Sequence, residues 1–119
     1  MSKNILVIQR CAPYGSSLAR EGLDYVLTSA AYDQNIQILF LGDGVFQLLK
    51  NQDSSDIQLK NHLGAMEVLP LYDIEDLYVV NEDLNERSLT QGSLGLPVKC
   101  IDRQDVHDLI NKQDHIMGF

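Results

Sequence analysis

Two thiols and three imidazoles are the side chains of this 119-residue chain best equipped for nucleophilic or metal chemistry. Cys11 follows a short apolar run and precedes a helix start, with Arg10 beside it. A neighbouring cation and a helix N-terminus both favour the thiolate, which is the nucleophile in sulfur chemistry. No His or acid stands close in sequence to act as its base, so the ordinary reading of Cys11 is a bystander in a first loop. Cys100 sits inside a strand-like segment and reads as a small buried hydrophobe. His62, His107 and His115 lie far apart, and none is spaced with another His, Cys or Glu as metal ligands are. His62 and His107 read as surface residues of helices.

Gly42-Asp43-Gly44 ends a strand, where α/β sheets usually place a ligand. A dinucleotide fingerprint needs a third glycine, but position 47 is Gln47, so a tight strand-to-helix turn is the better reading. Val45, Leu48 and Leu49 fill the inward face of a short helix there, leaving Phe46 beside Gln47 on the outer side. Phe46, with Asp43 and Gly44, is the candidate contact with another protein, core packing of Phe46 being the alternative. Asp73, Glu75 and Asp76 form a small acidic cluster that lacks the loop pattern of a hard-cation site. It reads as a solvated turn with Asp73 capping a helical turn. These residues supply no nucleophile–base pair, no phosphate loop and no metal set; no cofactor is expected.

The elements that would position them alternate between strand and helix. Ile5–Ile8 is a continuous apolar run, as in a strand buried on both faces. Leu18, Ala19, Gly22, Leu23, Val26, Leu27, Ala30 and Ala31 trace one wide helical face, with Ser16 or Ser17 as cap and Glu21 near the first turn. A second strand spans 36–41. The polar run 51–56 predicts a surface or mobile loop. Leu59, Leu63 and Met66 predict a helix ending near Gly64. Glu67–Leu71, Leu77–Val80 and Val98–Ile101 are further strand candidates, with a short helix over 83–87. Asp102 caps a last helix carrying Val106, Leu109 and Ile110, and His115–Met117 adds an edge strand. This order predicts one α/β domain over 1–119, three-layered, with a mainly parallel sheet and helices on both faces.

Composition agrees: 45% of residues are hydrophobic and 22% charged, enough for a core without disulfide staples. The net charge of −8, from 17 acidic and 9 basic residues, argues against direct nucleic-acid binding. The opening apolar run is too short for a signal-peptide core, and no segment has the length of a membrane span. A cytoplasmic location with reduced thiols is the expectation.

Four stretches together resemble the TusC family, close to DsrF within the DsrE/F-like fold. They are Ala12-Pro13-Tyr14-Gly15 followed by Arg20-Glu21-Gly22-Leu23-Asp24, then Gly42 to Leu49, then Leu71-Tyr72-Asp73-Ile74-Glu75, then Leu84-Asn85-Glu86-Arg87. The resemblance implies a five-stranded, mainly parallel sheet. It also implies assembly with TusB-like and TusD-like chains, two copies of each, into a heterohexamer. That complex passes persulfide sulfur from a TusA-like donor to a TusE-like acceptor, for 2-thiouridine at the wobble position of tRNA. In TusD-like relatives the active cysteine lies where the fourth strand meets its helix. The corresponding stretch here, Tyr78-Val79-Val80-Asn81-Glu82, has no thiol. The resemblance therefore implies a non-catalytic structural subunit.

Two other functions compete: an independent sulfurtransferase using Cys11, and a flavodoxin-like cofactor binder using Gly15-Ser16-Ser17 for phosphate. The second loop lacks the run of hydroxyl residues such sites favour. Purified protein is expected to show no flavin absorbance, and a stoichiometric flavin spectrum would reinstate the cofactor-binding reading.

Overall fold

The computed structural model describes residues 3–32, 34–50 and 57–119. Its five strands are β1 (Asn4–Gln9), β2 (Asn35–Phe40), β3 (Leu77–Val80), β4 (Lys99–Ile101) and β5 (His115–Gly118). Four α-helices connect them: α1 (Leu18–Ala30), α2 (Ile57–Met66), α3 (Asn81–Glu86) and α4 (Arg103–Asn111). Short 3-10 turns occupy Gly42–Leu48, Leu69–Tyr72 and Gln91–Ser93. The stretch 51–56, expected as a loop, lies outside the described residues, as does the side chain of Leu59.

All strand pairs are parallel, in the order β4-β3-β2-β1-β5. Parallel neighbours need crossovers, and crossovers are right-handed. From β1 to β4 the chain advances one way across the sheet, so its connections share one face. The return to β5, on the far side of β1, reverses direction and carries α4 to the other face. Two cores of unequal size result. The larger packs Ile5, Val7, Ile36, Ile38, Phe40 and Val79 against α1 and the intervening turns. The smaller packs Leu6, Leu39 and Val80 against Leu109 of α4.

Alternation along the strands explains why both faces are apolar. Val7 pairs with Ile38 and Phe40 with Val79 toward the large core, while Ile8 pairs with Leu39 toward α4. A side chain such as Phe40 or Leu6, with no exposed area, contributes about 2 kcal/mol by burial. On α1 the buried residues are Ala19, Gly22, Leu23 and Val26, the centre of the expected face, whereas Leu18 at its start is exposed.

Three local expectations are corrected. Glu67–Leu71 contains no strand: the chain forms a 3-10 turn over Leu69–Tyr72. Pro70 sits at the first positions of that turn, where its fixed φ fits and its missing N–H costs nothing; in a ladder it would remove a donor. Asp73 ends the turn in the left-handed region, at φ 62°. Helix α2 runs past Gly64 to Met66, and Cys100 is half-buried beside the large core rather than within it.

Phe40→Ala should cost about 3–5 kcal/mol. Leu71→Ala, at a residue 82% exposed, should change stability by less than about 0.5 kcal/mol. Urea midpoints of the two variants test this division of labour.

Candidate functional site at the carboxyl end of the sheet

Where β1 and β2 end, the chain is held by close backbone approach. Leu41 donates its N–H to the Gln9 carbonyl, and Gly42 turns away at φ 55°. Gly44 then lies directly on the Gln9 backbone, in space that a Cβ would overlap. The Gly42-Asp43-Gly44 sequence is thus a steric requirement of a tight turn. Its N–H at Gly42 donates to Oδ2 of Asp83 at 2.8 Å, which ties the turn to α3.

Beneath the turn lies a chain of buried amides. Gln47 Nε2 donates to the carbonyl of Cys11 at 2.8 Å and to Oε1 of Gln9 at 3.3 Å. Gln9 Nε2 in turn donates to the Ala19 carbonyl of α1 at 3.3 Å. With its amide nitrogen so committed, Gln47 presents Oε1 as an acceptor 2.9 Å from His62 Nε2, which assigns the proton of that imidazole to Nε2. Burial, and next the charge of Arg20, lower the His62 pKa below its ordinary 6.5. Two expectations fail here. Gln47 is fully buried rather than outward, and His62 is buried rather than on the surface. The reason is mutual: each satisfies the other, so both tolerate removal from water. A signal was present at Gly22, a costly residue within a helix. Its missing Cβ is the space that the Gln9 side chain occupies.

Beside the turn lies a charged cluster. Asp83, with its side chain 10% exposed, accepts from Arg103 at 2.7 Å. Arg87 donates through Nε and Nη2 to Oδ1 of Asp43, and through Nη1 to the Asp83 carbonyl. The Arg87 guanidinium also lies 5.9 Å from the centroid of the Phe46 ring. The exposed ion pairs are each worth under about 1 kcal/mol, but the buried Asp83 carboxylate would be costly to leave unpaired. Glu82 accepts the Arg103 N–H at 2.9 and 3.0 Å, and Asn81 donates to Asp102 at 3.0 Å. Together with the Asp102–Asp105 capping box, these bonds fasten the start of α4 to the start of α3.

The remaining candidates stay dispersed. Asp43 is exposed, Phe46 is half-buried, and Gly44 is buried under the turn. Cys11 is half-buried at the end of β1. Burial pushes the Cys100 thiol above 9.0, so it stays protonated at neutral pH. His107 and His115 are exposed and distant in the chain. Asp76 pairs with Lys99 at 2.8 Å. Among the described residues no three His, Cys, Asp or Glu side chains gather to hold a metal. No helix of the described chain is long and apolar enough to cross a membrane. At the β3–α3 junction Val80 is 1% exposed and Asn81 is bonded across to Asp102. What the arrangement offers chemically is a rigid polar platform, with its one buried imidazole already committed to an amide.

Residues 3–119 match the family model described as the DsrE/DsrF-like family. A protein TusC homolog of Aliivibrio fischeri is 38% identical over 108 residues, which cover 91% of this chain and 92% of that one. The intracellular sulfur oxidation protein DsrF of Allochromatium vinosum is 35% identical, over 98% of this chain and 96% of its own. Among solved structures, the ychN protein from E. coli superposes with a TM-score of 0.80 over all of both chains, at 16% identity, and so shares the fold.

A His62 held neutral in the fold binds fewer protons than an unfolded one. Stability should therefore be complete above about pH 6.5 and fall as pH drops from there toward the lowered folded value. Thermal melts across that window test this, and the slope should flatten in His62→Gln, whose amide can still donate to Gln47. Gly44→Ala should cost about 2 kcal/mol or more, because the added methyl meets backbone and not a flexible side chain.

Proposed function

Since the chain belongs to the DsrE/DsrF-like family, we propose that it serves as the TusC-like, non-catalytic subunit of a cytoplasmic sulfur-relay complex. In this reading the whole of 1–119 acts as one DsrE/F-like domain. It assembles with TusB-like and TusD-like subunits, two copies of each. The complex passes persulfide sulfur from a TusA-like donor to a TusE-like acceptor for 2-thiolation of the wobble uridine in tRNA. The chain itself needs no cofactor and touches neither nucleic acid nor membrane.

The observation that carries the reading is the β3–α3 junction. Persulfide transfer requires a thiolate that attacks the terminal sulfur of the donor persulfide and expels the donor thiolate. The resemblance puts the thiol of TusD-like relatives at this junction, which here holds Val80 and Asn81. Val80 has no nucleophilic atom and is buried, and the Asn81 amide is engaged with Asp102. Cys11 lies on a different strand end, and only its backbone carbonyl joins the Gln47 network. The hypothesis gives Asp43 and Phe46 to the partner-facing surface, with Gly44 shaping the turn from inside and Arg87 bracing it.

The chain should copurify with co-expressed TusB-like and TusD-like subunits, equally well as wild type and as Cys11→Ser, and its deletion should lower wobble 2-thiolation. Offered a persulfide donor alone, it should gain no sulfur by intact-mass measurement. A Cys11-dependent sulfur adduct would overturn the non-catalytic assignment, and indifference to both partners would overturn the complex.

A further inference from the structure

The two edges of the sheet are built differently. Along β4 the edge is guarded. Pro97, which cannot donate, precedes it; Lys99 projects a charge held 2.8 Å from Asp76 and 5.5 Å from the Tyr78 ring centroid. Proline and lysine are common means of keeping an edge strand from pairing. The β5 edge has neither. All four of its residues are exposed, with Ile116 at 43% and Met117 at 39%, and among the described residues no strand lies beyond it.

The ladder tells which backbone groups that edge offers. Phe119 donates its N–H to Ile8 and accepts from the N–H of Arg10 through its carbonyl. Residues of a parallel ladder alternate in direction, and the register sets His115 beside Ile5 and Met117 beside Val7. The odd-numbered residues therefore bond inward to β1, and the N–H and C=O of Ile116 and Gly118 face outward. The N–H of Asp114 is spent on the Asn4 carbonyl, so the outward ladder begins at Ile116.

We propose that this edge pairs with the same edge of a second copy of this chain, antiparallel, about a two-fold axis through Met117. A two-fold contact makes a surface its own complement. This register alone uses both outward residues on each side, setting Ile116 opposite Gly118 of the second copy. Both side-chain positions lie on the α4 face, so each Ile116 lies beside a glycine that has no side chain to obstruct it. Charge agrees with the pairing. The Arg10 guanidinium already lies over Gly118, with Nη2 3.1 Å from where a Cβ would be. The antiparallel run carries the second copy's Asp114 to the level of that guanidinium; its Oδ2 accepts the Asn4 N–H of its own chain at 2.8 Å, which leaves Oδ1 for the contact. The sheets of two chains thereby join into one. The inference is independent of the sulfur-relay reading, because it is measured on the isolated chain.

Sedimentation of the isolated full chain should give twice the monomer mass of 13.4 kDa. Ile116→Pro should give a folded monomer, since the lost N–H faces outward, and its urea midpoint should no longer rise with protein concentration as that of the wild type does. In a Cys11→Ser, Cys100→Ser background, Met117→Cys should form a disulfide-linked dimer on mild oxidation. The two residues face each other as a non-hydrogen-bonded pair with Cα atoms about 4.5 Å apart, within disulfide reach. His115→Cys, displaced along both strands from its copy, should remain unlinked. If Ile116→Pro fails to fold, the contrast between the two cysteine variants decides. A chain that stays monomeric at high concentration, a dimer indifferent to Ile116→Pro, or equal crosslinking at 115 and 117 overturns the proposal.

Discussion

A buried primary amide must place every one of its polar atoms, and Gln9 imposes that requirement on everything around the end of β1. Its nitrogen donates to a carbonyl of α1, and its oxygen accepts a hydrogen bond from Gln47. Two glycines clear the way: Gly22 leaves room for the side chain, and Gly44 lets the next turn rest on the backbone. Gln47 then fixes Cys11 through its carbonyl and sets the tautomer of His62. One strand end thereby coordinates a helix, a turn, a loop and a second helix. Interior hydrogen bonds of this kind add little net stability when complete and cost much when broken, so they specify geometry more than they stabilise it.

The charges at the same end of the sheet act differently. Asp83 is the one member of its cluster withdrawn from water, and two arginines and a backbone N–H converge on it. Arg87 then extends outward to Asp43 and Phe46. The polar network under the turn and the ionic one beside it grip the same short segment from two directions. A surface held this way changes little on contact with a partner, which lowers the ordering cost of association. The absence of a thiol at the β3–α3 junction and the stiffness of its surroundings both suit a supporting subunit.

Much of the scaffold was legible in the residues. Continuous apolar runs announced the buried strands, and the Asp102 cap announced α4, because these signals are local and periodic. His115–Met117 was recognised as an edge strand from three residues. Pro70 misled in the other direction, since the apolar residues around it suggested a strand that proline cannot complete. The site was less readable. Burial of Gln47 and His62 follows from their bonding to each other across 15 positions, and no pattern in either local segment shows it. Gly22 was counted as part of an apolar stripe, although its value lies in what it leaves empty.

The last strand of the sheet lies against the first. Asn4 meets Asp114 through both backbone and side chain, so residues separated by 110 positions close the structure. A polypeptide leaving the ribosome in order could stack β1 to β4 early, yet Leu6 and Ile8 would keep one flank bare until the final residues arrived. Such a long closure slows the search for the native state, because the entropy of bringing distant segments together is lost before their contacts repay it. Until β5 and α4 are in place, β1 is itself an exposed edge with an uncovered face, the kind of surface through which incomplete chains associate.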